Sequence, residues 1–307
     1  MDIDEISAFV AIAQLGGFTR AAARLNRSQP AISRRIGLLE EHLGAQLLER
    51  VRGRVELTTA GHTFLPYAEA VLAAIQDGRD AVGASIREGN GSVSLALVGT
   101  LADTHIVEVL RKFARRSPVA DLELRTANSR EVSAFVRRGE VTLGLRYQDD
   151  DHPSLSSQIV GEEALLVIAA AGHPLAGRKL QAKDLSSEKW IGFPATRERE
   201  SFGHVLQRQL IAAGLDPEKV TVIDSLTAQK RLVQAGFGIA LMPESSVRDE
   251  LRLGAVCELR APMLRTAIKI ALLHRRNGYL NPAALALIEM IKSADFRSGC
   301  RPRPENL

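Results

Sequence analysis

The sequence is poor in cysteine, tryptophan and aromatic residues generally, and each shortage removes a class of protein. Of its 307 residues two are cysteine, one is tryptophan and 4% are aromatic. Cys257 and Cys300 form neither a metal-binding nor a redox spacing, which excludes a disulfide scaffold and suits a reducing compartment. With so few aromatics, any core must lean on Leu, Ile, Val and Ala. No stretch approaches eighteen uninterrupted apolar residues, so no membrane span is expected. Met1 to Glu5 carries Asp2, Asp4 and Glu5 with no basic flank before an apolar run, the wrong pattern for a secretory signal. The expected location is the cytoplasm.

Catalytic patterns are missing too. His42, His62, His105, His152, His173, His204 and His274 show no HxxxH spacing, and neither a GxSxG elbow nor a Walker-type glycine loop occurs. Glu162 and Glu163 could mimic a carboxylate pair, but adjacent residues of a strand point to opposite faces. Asp149, Asp150, Asp151 and His152 precede Pro153 and read as a solvated loop rather than a metal site. No catalytic residue, cofactor or metal is expected.

What is present is an ordinary globular balance, 45% hydrophobic and 25% charged, in a chain long enough for two or three domains. The net charge of +4 says little, but its distribution says more. Between Gly17 and Leu39 stand Arg20, Arg24, Arg27, Arg34 and Arg35 with no acid, and Arg50, Arg52 and Arg54 follow. Clustered guanidinium groups neutralise backbone phosphates and release counterions. A solvated basic face is the competing reading, and the local pattern decides against it.

Ile3, Ile6, Val10 and Ala13 recur at helical spacing beside Phe9, with acids at the start where the helix dipole favours them. Gly16-Gly17 stops that helix. A second opens at Phe18 with Thr19 as N-cap and runs through three alanines to Leu25. Asn26-Arg27 makes a turn, and Ser28 caps a third helix that tolerates Pro30 in its first turn. Ile32, Ile36, Leu39 and Leu43 form its apolar stripe. Its opposite side shows Pro30, Arg34 and Gly37, flanked by Ser33, with Gln29 at the exposed end. Small residues there allow close approach to a major groove, and Gln, Ser and Arg bond base edges. Leu47 to Leu57 reads as a two-stranded wing turning at Arg52-Gly53, its arginines Arg52 and Arg54 set for phosphate or the minor groove.

The run Phe18 to Leu25, then Ser28-Gln29-Pro30-Ala31-Ile32-Ser33-Arg34, Leu38 to Gly44, Leu47 to Arg50 and Leu57 to Gly61 resembles the LysR-type transcriptional regulators almost continuously over sixty residues. The resemblance implies a helix-turn-helix from Phe18 to Gly37 that contacts double-stranded DNA through Thr19, Arg20, Ser28, Gln29, Pro30, Ser33, Arg34, Arg35, Arg52 and Arg54. From Thr59 to Glu88, Phe64, Ala68, Val71, Ile75, Gly78 and Val82 step by four and three like a coiled-coil seam, with Pro66 inside the pattern. The resemblance implies a dimerising linker helix here. Gly89-Asn90-Gly91 marks the domain boundary.

After Val93 strands and helices alternate, which argues for an α/β domain with a largely parallel sheet. It resembles the two-lobed, periplasmic-binding-protein-like effector domain of the same family. Gly172 to Ala176 and Gly236 to Pro243 are the recognisable motifs. The family often has an acid two residues after the Gly-Glu pair before the third strand; here Gly139-Glu140 leads to Val141-Thr142. The expected organisation is a winged helix-turn-helix over 1–58, a linker helix over 59–89 and an effector domain over 91–295. One lobe would hold about 91–160 and 262–295, the other about 161–261, with 296–307 a disordered tail.

Ligands of open α/β sheets sit outside the carboxyl ends of the strands. Thr100 and Ser129 would there present hydroxyls beside free backbone N–H groups, a setting for a carboxylate, with helix capping as the competing reading. Arg146 could pair with an anion, or form a salt bridge with Asp149 or Asp150. Phe193 and Thr196 could close over the ligand, or Phe193 could simply pack in the core. The expectation is a regulator whose partners are an interrupted inverted repeat of DNA, a small anionic effector, a second copy in a homodimer or homotetramer, and RNA polymerase. The competing readings are a thiol-redox sensor of the same family and a non-regulatory binding protein.

Overall fold

The computed structural model describes residues 1–86, 91–118, 120–195, 202–294 and 296. Its helices are α1 (Ile3–Leu15), α2 (Phe18–Arg24), α3 (Gln29–Leu43), α4 (Thr59–Ile86), α5 (Ile106–Arg116), α6 (Ser129–Arg137), α7 (Ala182–Leu185), α8 (Phe202–Ala212), α9 (Leu226–Gln234), α10 (Glu244–Arg252) and α11 (Pro282–Lys292). Its strands are β1 (Leu48–Val51), β2 (Arg54–Leu57), β3 (Val93–Val98), β4 (Leu122–Ala127), β5 (Leu143–Tyr147), β6 (Leu155–Ala170), β7 (Trp190–Gly192), β8 (Val220–Val222), β9 (Ile239–Pro243), β10 (Val256–Glu258) and β11 (Thr266–Arg275).

Local chemistry sets the ends of the first helices. Asp2 caps α1 by accepting from the Glu5 N–H at 2.7 Å, and Glu5 returns a bond to the Asp2 N–H. Gly16 ends α1 in the left-handed region at φ 67°, which suits glycine. The expected stripe of α1 is buried at Ile6 and Val10 beside Phe9, with Ala8 and Ile12 also inside, whereas Ile3 is exposed. Gly17 occupies the cap position of α2 without a side-chain bond, so Thr19 is not its N-cap and lies exposed in the first turn. Ser28 Oγ accepts from the Ala31 N–H at 3.3 Å and caps α3, with Pro30 in the first turn. Ile32, Ile36 and Leu39 are buried, while Leu43 at the helix end is partly out.

The wing is an antiparallel pair, β1 with β2, closed by Arg52 at φ 50° and Gly53 at φ 79°. Two left-handed residues make the type I′ turn that matches strand twist. Thr58 Oγ1 accepts from the Gly61 N–H at 3.0 Å and starts α4. That helix runs on through Pro66. Its first turns pack on the three-helix head, with Phe64 and Phe9 rings 5.4 Å apart. Further along, Val71 and Val82 of the expected seam face outward.

The C-terminal part is built on one nine-stranded sheet, ordered β4-β3-β5-β11-β6-β9-β7-β8, with β10 beside β6. The sheet is mixed, not largely parallel. Parallel trios β4-β3-β5 and β9-β7-β8 flank two long antiparallel strands, β11 and β6. Their register slips at Ile270/Ala271, where Val160 is the extra residue of a bulge. Helices cover both faces, and Val93, Leu95, Leu143, Leu145, Trp190 and Leu241 sit in the core. Among the described residues no single helix is long and apolar enough to cross a membrane. The expected tail lies, apart from Phe296, outside the described residues, as does the expected boundary 89–90.

Candidate nucleic-acid interface and effector cleft

The outward face of α3 carries Gln29, Pro30, Ser33, Arg34 and Gly37, all exposed. The Ser28 hydroxyl caps this helix by accepting the Ala31 N–H, and at its exposed position it keeps its own proton to donate. Thr19 and Arg20 are exposed on α2, and Arg20 Nη2 donates to the Gly16 carbonyl at 3.3 Å. Arg50, Arg52 and Arg54 are exposed on the wing. Arg35 departs from this set: it turns toward α1 and pairs with Asp4 at 2.5 Å, fastening α3 to α1. Sequence reasoning missed Glu40, whose Oε1 accepts from the backbone N–H groups of Leu47 (2.7 Å) and Leu48 (3.2 Å) and so fixes the wing to the recognition helix.

In the other half, β3 and β4 run parallel with Val98 opposite Ala127, so the segments holding Thr100 and Ser129 leave neighbouring strand ends. Asn128, not Ser129, caps α6: its Oδ1 accepts from the Glu131 N–H at 2.9 Å, and Glu131 returns a bond at 3.1 Å. Ser129 is the first helical residue, partly buried. Thr100 does not cap a helix either. It lies in a 3-10 turn, Gly99–Asp103, and donates to the Tyr147 hydroxyl at 2.9 Å.

That contact begins a chain. The Tyr147 hydroxyl donates to Glu163 Oε2 at 2.8 Å, and Glu163 Oε1 accepts from the Ser245 N–H at 3.1 Å and from the Ser245 hydroxyl. Glu163 is 1% exposed, Tyr147 4% and Ser245 7%. Burial pushes the Glu163 carboxyl above its ordinary range, against the lowering effect of the Ser245 and Tyr147 hydrogen bonds. Burial likewise raises the Tyr147 phenol well above its ordinary value, and the Glu163 charge adds to it. Tyr147 also meets Phe202 (ring centroids 6.0 Å), which meets Phe193 edge-on at 5.3 Å. Phe193 is thus half-buried within an aromatic row. Thr196 lies outside the described residues.

Arg146 is placed elsewhere. It is 5% exposed and its neighbour Tyr147 takes the opposite face of β5. Nη1 donates to Asp150 Oδ2 at 2.6 Å and to the Ser133 hydroxyl at 2.9 Å, while Nε donates to the Tyr147 carbonyl. The salt bridge with Asp150, one of the two expectations for Arg146, is thus present. Asp149 bonds the Ser157 hydroxyl. Cys257 Sγ donates to the Ala170 carbonyl at 3.2 Å, and Cys300 lies outside the described residues.

Comparison with known proteins matches both halves. Residues 3–62 match the family described as "Bacterial regulatory helix-turn-helix protein, lysR family", and residues 87–295 match "LysR substrate binding domain". The chain is 31% identical to the transcriptional regulator TfdS of Cupriavidus pinatubonensis, covering 87% of each, and 28% identical to BenM of Acinetobacter baylyi over 88% of this chain and 90% of that one. The solved structure of CbnR, a LysR family transcriptional regulator, is similar at TM-score 0.64 with 27% identity, covering 96% of this chain and all of that one. Full-length CbnR in complex with its target DNA matches at TM-score 0.62.

Proposed function

We propose a mechanism that proceeds from one premise: the chain belongs to the LysR family of bacterial transcription regulators. Two copies pair along the outward seam of α4 that Val71 and Val82 mark, and two dimers join as a tetramer. The heads then set two α3 helices on the half-sites of an interrupted inverted repeat in double-stranded DNA. Gln29, Ser33 and Arg34 read base edges. Thr19, Arg20, Arg52 and Arg54 hold phosphate or the minor groove. Arg35 serves the head's own packing through Asp4. An activating assembly meets RNA polymerase beside the operator, and the whole works in the cytoplasm.

The effector is a small anion taken up between the lobes. Ser129 supports this reading most directly: it sits at the positive end of α6, with the capping role already filled by Asn128. Thr100 faces the same strand ends, and Phe193 stands on the far side of the cleft beside Phe202, with Thr196 following it in sequence. The effector acts only to the extent that it binds two lobe arrangements unequally, and α4 passes that difference to the heads. Footprinting across the source genome with and without the protein would give the operator. Titration calorimetry of the full chain against a metabolite panel would test the anion: binding of cationic or wholly apolar compounds alone would sink it.

A further inference from the structure

The hydrogen-bond chain from Thr100 to Glu163 has a direction, and the direction is forced by proton count. A phenol carries one proton, and an ionised carboxylate only accepts. With Glu163 ionised, the Tyr147 proton goes to Glu163, so the phenol oxygen must receive the Thr100 proton, as the geometry has it. Thr100 then turns only a lone pair toward the cleft. A carboxylate ligand brings nothing but acceptors, and the two repel.

We propose that Glu163, acting through Tyr147, sets whether Thr100 offers the cleft a proton or a lone pair, so that a carboxylate effector is taken up together with one proton on Glu163. This rests on the reading of the cleft as an anion site. A proton from solvent on Oε2 lets Glu163 donate to the phenol oxygen. The phenol O–H swings to Thr100 Oγ1, and the Thr100 O–H swings to the ligand. Two hydroxyls rotate, one proton is gained, and no bond between heavier atoms changes. Ser245 continues to donate to Oε1 in both states.

The surroundings of Glu163 suit a group that changes charge. Its position is three residues past the bulge of β6, and it joins the 3-10 turn of one lobe to α10 of the other. Asp103 on the same 3-10 turn disfavours a second negative charge. Around Asp103 stand Lys230 of α9 and Arg248, Asp249 and Glu250 of α10, and Lys230 is held by Glu250 at 2.6 Å and by the Ser246 carbonyl. Along β6, Glu162 points the other way and is exposed; across on β11, Ile268 is opposite Glu163 and Lys269 is exposed. No cation faces the carboxylate directly among the described residues.

The test needs no effector. The chain has three tyrosines, so Tyr67→Phe with Tyr279→Phe leaves Tyr147 as the one reporter. Raman scattering of the phenol doublet, whose ratio follows the strength of the bond that the hydroxyl donates, is recorded on the full chain from about pH 8 to about pH 5, above the ordinary carboxylate value. The phenol donates one bond and accepts one in either state. Its donated bond passes from a carboxylate to a neutral hydroxyl, so the doublet ratio is expected to rise in a one-proton step as pH falls. In the same background Glu163→Gln, whose amide N–H donates at every pH, is expected to show the higher, low-pH ratio throughout. A ratio that stays fixed across the range, at either value, while circular dichroism is unchanged overturns the proposal. So does a step that survives Glu163→Gln. Should that variant not fold, the two-substitution chain decides alone. Failure here leaves the anion reading of the cleft standing, and a metabolite panel without a hit leaves the Raman result standing.

Discussion

Asp77 on α4 and Arg275 on β11 form a two-point ion pair across 198 residues of sequence, with Nη1 2.8 Å from Oδ2 and Nη2 on Oδ1. Beside it Gly139, at φ 69°, brings its backbone against Ala73 of α4, where a Cβ would meet the Ala73 methyl at 3.1 Å. The pair borders a polar cavity of about 350 Å³ whose lining includes Arg24 of the head, Gln76 and Asp80 of α4, and Arg138 of the first lobe. Head, linker and effector domain therefore share one polar junction.

The pair is about one-sixth exposed on each side, so its strength lies between that of a surface bridge and a buried one. A double-mutant cycle of Asp77→Asn and Arg275→Met in denaturant unfolding is expected to give a coupling of about 1–3 kcal/mol. A coupling indistinguishable from zero would mean the junction holds by Gly139–Ala73 packing alone.

Arg146 invites a test that separates structure from ligand binding. Its side chain is 6% exposed and that of Asp150 is 14%. Arg146→Met leaves the carboxylate without its charged partner and is expected to lower stability by about 3–5 kcal/mol. Burial raises the Asp150 pKa, but hydrogen bonds from Ser133 and the His152 N–H and the charge of Arg146 outweigh it and bring it below the ordinary value. A depressed carboxylate stabilises the fold above its unfolded pKa and loses that effect as pH falls through the folded one. The gap between wild type and variant should therefore narrow on acidification below about pH 4. A fully stable variant that had lost only effector binding would return Arg146 to the cleft.

The head was legible because its signals are local. Ser28 three residues before Ala31, Pro30 in a first turn and Arg52-Gly53 between short apolar runs each specify one backbone shape. The cleft was not, because Thr100, Tyr147, Glu163 and Ser245 come from four separate elements. The start of β6 carries no such signal either: Ser156-Ser157-Gln158 breaks the alternation that marks a strand. That strand is specified by β11 alongside it, not by its own residues. Arg146 could be read two ways, because a basic residue at a strand end looks the same whether it meets a ligand or a carboxylate of its own chain, and the structure shows it paired with Asp150.

On the DNA side, base readers and phosphate holders should separate by salt. Gln29→Ala or Ser33→Ala is expected to cost about 1–3 kcal/mol at the cognate site and to relax sequence preference. Arg54→Ala should weaken cognate and random DNA alike and reduce the slope of log affinity against log salt by about one. Filter binding at several salt concentrations measures both. Identical behaviour of the two classes would dissolve the division between helix and wing.

Arg52 makes opposite demands on fold and function. At φ 50° it holds a conformation that costs a residue with a Cβ roughly 1–2 kcal/mol, and glycine adopts it freely. Arg52→Gly should therefore raise the stability of the head by up to about 1 kcal/mol once the added freedom of the unfolded chain is counted. The same change removes a guanidinium from the tip of the wing and should weaken DNA binding. Arg52→Ala separates the two effects, since it loses the charge but keeps the strain: its DNA affinity should match that of Arg52→Gly while its melting temperature does not rise. If Arg52→Gly left DNA affinity unchanged, the wing tip would not reach the duplex, and the strain would be without a functional account.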